Sequence, residues 1–458
     1  MKRLLENAMI VTGASSRRGA LLLDGDRIER IFHYTDGPLP QMDSVSREDL
    51  GGMPLMAGAI DAHVHFREPG MTAKADIASE SRAALFGGVT SYIDMPNNNP
   101  PTISALALDD KLLRAEGRSL ANYGFHLGVT RGATGEIGAC IMPFGAVKVF
   151  MGSSTGGMLL DDDGALLDVF KAAEARGKRI FLHCEDESII RQSLLKAKER
   201  YPDGIPFSAH PLIRPREGCI ESTKRAMRLA LSTGAHIHIC HISTKEEVEL
   251  IEDFKDRHPG ILTAETSANY LWFCDEDYDR LGGRLKCNPA IKSSSDRTAL
   301  RKAVASGVID TIGSDHAPHL PQEKERAYLS CPSGMPSVEQ SFGVMLTVAR
   351  EEGIPLTRVA SLMSENIASI LGIESRGAIV EGAYADLVVV DPEISYKVGD
   401  ARPACGNARI DYKCGWSPYD GTFLKGGVKA VYINGEKAIQ DGRPQTEKAL
   451  GRALEFSS

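Results

Sequence analysis

The chain has 458 residues, 42% hydrophobic and 25% charged, the composition of an ordinary globular protein with room for one large domain and a smaller one. A net charge of -8, with no Lys/Arg run, leaves no electrostatic footprint for nucleic acid and favours a small-molecule substrate. Nine cysteines, an odd number without a C-x-x-C pair, read as free thiols of the cytoplasm and exclude a disulfide scaffold. No apolar run approaches the length of a membrane span, and Glu6 and Asn7 break the first apolar stretch before any cleavage signature.

In chain order, residues 1–53 hold strand-like runs broken by turn residues, such as 7–12 and 19–28. Between about residues 55 and 320, short strand-like runs alternate with helical patterns. Eight such strands are predicted, at 59–63, 89–94, 123–129, 146–150, 179–183, 235–241, 261–266 and 309–314. Helical spacing is visible at 74–86 and 245–254. Eight βα units predict a (β/α)8 TIM barrel, with a doubly wound open sheet as the alternative. From about residue 376 the strand-and-turn style returns, at 385–391 and 428–435. The expected organisation is a composite β-sandwich domain from 1–53 and 376–458, with a barrel domain at 54–375 inserted between its halves.

The first barrel strand runs into Asp61-Ala-His63-Val-His65-Phe-Arg67-Glu-Pro-Gly70. Alternation puts His63 and His65 on one face, where they could grip a metal ion; alone, the pair reads equally well as two hydrogen-bonded loop histidines. Further candidates close other strands: His183 in Phe-Leu-His-Cys-Glu, His241 in Ile-Cys-His-Ile-Ser, and Asp315 in Gly-Ser-Asp-His-Ala-Pro-His319. Barrel active sites lie at the C-terminal ends of the strands, so these five converge. Cys184 and Cys240, one residue beyond and before their histidines, should turn away from that face into the core.

Histidine and carboxylate ligands suit zinc and similar ions, and five are many for one catalytic ion, so two are expected. Lys148, on the fourth strand, is a candidate anionic bridge. Such a lysine is ordinarily a snorkelling or paired residue, but desolvated beside metals it can take up carbon dioxide and become a carbamate. Water between two zinc ions would ionise near pH 7, and Asp315 could shuttle its proton to a leaving nitrogen. The reaction class is the reversible opening of an amide or imide.

These motifs resemble the dihydroorotases of the amidohydrolase superfamily. The resemblance covers nearly the whole chain and is most specific at Asp61–Gly70, Met95-Pro-Asn97, Asn288-Pro-Ala-Ile-Lys292, Gly313–His319 and the Ser-Pro motif within 413–421. It implies a zinc enzyme that interconverts N-carbamoyl-L-aspartate and L-dihydroorotate in pyrimidine synthesis. The implied ligands are His63, His65, carbamylated Lys148, His183, His241 and Asp315, with Asp315 also the general acid/base. Many bacterial relatives with this signature carry an aspartate after the fourth strand in place of the lysine. Here Gly152-Ser153-Ser154 stand at the corresponding positions, and Lys148 takes the role, as in hydantoinases and other dihydroorotases.

The resemblance also implies that Arg67, on the strand face of His65, pairs with the ring carboxylate, alternatively forming an ion pair with Glu68 or Glu80. Asn97 and His319 would complete that pocket, with Asn97 otherwise a plain loop residue. Asn288 and the backbone at Ser333 and Gly334 would meet the ring amides. The nearest alternatives are dihydropyrimidinase or hydantoinase and allantoinase, whose substrates lack that carboxylate and whose members generally lack the arginine. Some relatives have lost their ligands and serve as non-catalytic partners of aspartate transcarbamoylase; here the set is complete. A homodimer or higher homo-oligomer is implied, with association with aspartate transcarbamoylase as a further possibility. The stretch 319–335 reads as a loop over the substrate.

Overall fold

The computed structural model describes residues 2–153, 157–400 and 403–457; Ser154 lies outside them. Eight strands carry the barrel: β1 Ala59–Val64, β2 Val89–Asp94, β3 Asn122–Phe125, β4 Val147–Phe150, β5 Ile180–His183, β6 Ile237–Ile239, β7 Leu262–Ser267 and β8 Thr311–Gly313. Each neighbouring pair from β1 to β3 and from β4 to β8 is parallel. The short strand Leu127–Gly128 continues β3 and pairs with β4. A parallel bridge between Val64 and His316 closes the ring, and His65 N donates to His316 O at 2.7 Å. The fold is therefore the TIM barrel expected from the alternating pattern, with each predicted strand present.

Helices pack outside through apolar faces at helical spacing. The helix Ile77–Phe86 starts three residues later than its periodicity suggests, because Asp76 accepts from Ser79 N and Ser79 returns the bond, a capping box that fixes the first turn. This leaves Lys74 in the preceding turn. Thr244 caps the helix Lys245–Arg257 by accepting from Glu247 N. Inside the barrel Ile60, Ala62, Ile93, Ala146, Phe181 and Cys240 form an apolar plug below the rim. His126, Phe181 and His238 stack across it, with ring centroids 4.9 and 4.2 Å apart.

The two chain ends meet in one sheet of nine strands. Pro54–Ala57 stitches it together, pairing parallel with Lys2–Val11 and antiparallel with Leu387–Lys397. The sheet has its own apolar cluster, which includes Leu5, Leu21, Leu55, Leu387 and Tyr432. The Ser-Pro segment docks back on the barrel: Trp416 Nε1 donates to His319 O at 2.7 Å and Tyr419 Oη to Asn269 Oδ1 at 2.7 Å. Among the described residues no helix is long and apolar enough to cross a membrane.

Candidate metal centre and substrate cavity

The ligand candidates meet at the C-terminal rim. At the end of β1, Val64 and Phe66 pack outward into the core, so His63 and His65 face inward. The segment after β8 brings Asp315 Oδ1 to 3.2 Å from His65 Nε2 and 3.4 Å from His63 Nε2. From β5 and the end of β6, His183 Nδ1 and His241 Nε2 approach to 3.0 Å. Lys148, wholly buried on β4, carries its Nζ to 3.3 Å from Cys240 Sγ.

The far nitrogens of three histidines are held by fixed acceptors. His63 Nδ1 lies 2.6 Å from Glu265 Oε1, His65 Nδ1 lies 2.7 Å from Asn97 Oδ1, and His183 Nε2 lies 3.0 Å from Glu185 Oε2. Glu185 is itself paired with Arg214, which also donates to Ser153 O at 2.7 Å. Outer acceptors of this kind set the tautomer that leaves the inner nitrogen's lone pair for a metal. His241 Nδ1, also buried, has no hydrogen-bond partner among the described residues.

Burial opposes charge on every histidine here. It draws His65 down to about 4 and His241 well below the usual range, and His183 is lowered for the same reason. His63 is the exception: against burial, the Glu265 carboxylate raises it to about 10. Burial alone would raise Asp315, but His63 and His65 beside it hold its carboxyl below the ordinary range. The neutral imidazoles of His65, His183 and His241 with the ionised Asp315 carboxylate are a donor set that suits a borderline divalent ion. His63, held as a cation by Glu265 here, joins that set on giving up its inner proton. One donor atom each from His63, His65 and Asp315 lies within 4.8 Å of the others, close enough for a single ion, so the residues fit the group.

Two expectations are corrected here. Cys240 does not turn into the outer core: its thiol points into the barrel beside Lys148 and forms a compact group with His63 and Glu265. The reason is that β6 ends at Ile239 and His241 takes a left-handed φ of 40°, which swings its ring to the same side as Cys240. Arg67 does not lie on a strand face either. β1 has ended by Val64, and Arg67 reaches the cavity from left-handed backbone at φ 64°. Its suggested acidic partners are engaged elsewhere, Glu68 with Arg118 and Glu80 with His316.

The cavity above the metal candidates is walled on one side by the histidines, Asp315 and Phe150, and on the other by Arg67, Asn97, Asn288, Ser333 and Gly334. His319 is wholly buried behind this second wall, with its Nε2 3.3 Å from Arg67 Nη2 and 3.1 Å from Ser333 O. Asn288 Oδ1 is buried without a partner among the described residues. The loop over the site is pinned by two lysines. Lys324 Nζ donates to Lys286 O, Pro332 O and Gly334 O at 3.0, 2.8 and 2.7 Å, and Lys286 Nζ to Tyr328 O and Cys331 O at 2.7 and 2.6 Å.

Glu265, Glu185, Arg214 and Lys74 are the contributors that sequence reasoning missed. Glu185 stands two residues beyond His183, and Glu265 is an acidic residue in an otherwise apolar and hydroxyl-bearing strand; both signals were present. Gly313 makes room for the second: a Cβ there would come within 2.5 Å of the Glu265 carboxylate.

Residues 55–438 match the amidohydrolase family. A dihydroorotase of Halobacterium salinarum is 34% identical over 424 residues, covering 92% of each chain. An allantoinase of Deinococcus radiodurans is 29% identical, covering 96% of this chain and 95% of its own. Among solved structures, the L-hydantoinase (dihydropyrimidinase) of Arthrobacter aurescens superposes with a TM-score of 0.91 at 26% identity over 99% of each chain. With a family match over most of its length, a barrel of the same architecture and a histidine-carboxylate cluster at its rim, the chain belongs to the amidohydrolase family.

Proposed function

We propose that the chain is a dihydroorotase, interconverting N-carbamoyl-L-aspartate and L-dihydroorotate. The observation that carries this reading is Arg67. Its guanidinium is 1% exposed and borders the cavity, yet among the described residues no carboxylate pairs with it. Nε donates to Pro318 O at 3.1 Å, a neutral partner. Burial lowers its pKa to about 10, so it remains charged at neutral pH. A buried, unpaired cation is costly and calls for an anion; a ring carboxylate supplies one, and hydantoin, dihydrouracil and allantoin do not.

His63, His65 and Asp315 would hold one ion, His183 and His241 a second, and Lys148 as a carbamate would join them. Two such ions, when bound, supply an acidified water and polarise the carbonyl under attack. Asp315 stands at the junction of the groups, where its carboxylate accepts a proton and returns it to the leaving nitrogen. Asn288 Oδ1, buried and unpartnered, is an acceptor for a ring N–H. Asn97 gives its Oδ1 to His65 and so fixes the tautomer of that ring at the edge of the cavity.

The test is turnover of dihydroorotate, dihydrouracil, hydantoin and allantoin by metal-loaded protein, with Arg67→Ala in parallel. Turnover confined to dihydroorotate, with kcat/KM down about a hundredfold in the variant, is the expected result. Hydrolysis of an uncharged ring, indifferent to Arg67, would overturn the substrate assignment and leave the hydantoinase or allantoinase reading.

A further inference from the structure

Lys74 sits in the turn that the Asp76 cap keeps out of the first helix, and its Nζ lies 3.0 Å from His319 Nδ1. An ammonium group has only protons to give, so Nδ1 must accept and the single proton of the neutral ring must be on Nε2. The alternative, an Nδ1–H donated to Glu323, fails on distance: the facing Oε2 is 3.7 Å away. Glu323 instead holds Lys74, with Oε1 2.9 Å from its Nζ, while Oε2 accepts from Leu320 N at 2.9 Å. The imidazole itself is wholly shielded from solvent.

On the other side of the ring, Nε2–H points to Ser333 O at 3.1 Å and meets Arg67 Nη2 at 3.3 Å. Arginine is also a donor only, so this last contact sets donor against donor, and it becomes attractive only around a shared acceptor. The charges that act most strongly on the ring are the cations Arg67, Lys324 and Lys74 and, opposing them, Glu323. Burial keeps His319 neutral, with a pKa of about 3.

We infer that Lys74 is a positioning residue for substrate specificity: by donating to Nδ1 it locks His319 as the Nε2–H tautomer, so that the ring's one proton faces the Arg67 side of the cavity, shared between Ser333 O and a substrate carboxylate that Arg67 also grips. This deepens the carboxylate reading above and rests on it. Lys74 touches no substrate; it acts through the ring.

The experiment pairs a spectrum with a binding measurement. Long-range 1H–15N spectra of histidine-labelled protein, assigned with His319→Gln, report the tautomer; calorimetry reports affinity for orotate and for uracil, which lacks the carboxylate. Wild type should show proton on Nε2 of His319 and prefer orotate. Lys74→Met should release Nδ1 to a mixture of tautomers and weaken orotate about tenfold with uracil unchanged, and Lys74→Arg should keep both properties. A wild-type ring protonated at Nδ1, or a folded Lys74→Met with undiminished orotate binding, overturns the inference. The first of these needs no variant and stands even if Lys74→Met fails to fold. Wild type that ignores the carboxylate, with His319 still in the Nε2–H form, sinks the carboxylate reading and leaves the tautomer assignment standing.

Discussion

At the base of the barrel, the turns leading into β5 and β6 use glycine for left-handed backbone, Gly177 at φ 66° and Gly234 at φ 78°. At the rim the same conformations fall on Arg67, His241 and Asp315, at 64°, 40° and 49°. Glycine enters this region freely, whereas other residues are held there at a cost of order 1–3 kcal/mol each. The base therefore turns cheaply, and the rim spends stability where a side chain must be aimed. The base also carries a broad pocket bordered by Lys178, Arg179 and His236, but none of the ligand candidates reaches it. Size does not locate the chemistry; converging donors do.

The sharpest way to break this comparison is Asp315→Asn. Asparagine tolerates left-handed backbone, so the turn should survive while the proton shuttle is lost, and kcat should fall about a thousandfold with an unchanged circular dichroism spectrum. Activity above a tenth of wild type would show that the strained carboxylate is not the acid/base.

A second prediction separates the two halves of the rim. Glu265→Gln removes the charged partner of His63 but leaves His183 with Glu185, so metal affinity should fall about tenfold to a hundredfold for one ion and not the other. Chelator competition with metal analysis reads this directly. Equal weakening of both ions, or of neither, would mean that the outer carboxylates do not act on separate sites.

The smallest effect belongs to the base. Gly234→Ala adds a Cβ whose nearest neighbour is Glu174 Cγ at 4.0 Å, so the only cost is backbone strain, about 1 kcal/mol in urea denaturation. Turnover by the folded variant should equal wild type. A loss of activity would show that base and rim are not independent.

Much of the fold was legible because its signals are local. Short strand-like runs alternating with helical patterns marked each barrel strand, and alternation put His63 and His65 on one side at the end of β1, where both face inward. The same rule misled at Cys240 and Arg67, where the strand had already ended and left-handed residues redirected the side chains. Periodicity placed the start of the first helix too early, since it cannot weigh a cap: Asp76 ends the turn, and Lys74 is freed to reach His319. The loop over the site read as a plausible cover, but the two buried lysines that tie it to backbone carbonyls carry no pattern of their own.

By itself the sequence determined the alternation of strands and helices, the histidines and aspartate that end those strands, and a net charge of -8 without a Lys/Arg run. These follow from the geometry of neighbours along the chain. Only the tertiary structure decided which groups set each ligand's orientation, because the partners are distant: 202 residues separate His63 from Glu265, and 250 separate His65 from Asp315. It also decided that Arg67 is buried without a carboxylate partner among the described residues. A charge's partner is a property of the closed barrel, in which β1 and β8 lie side by side, and no local period encodes it.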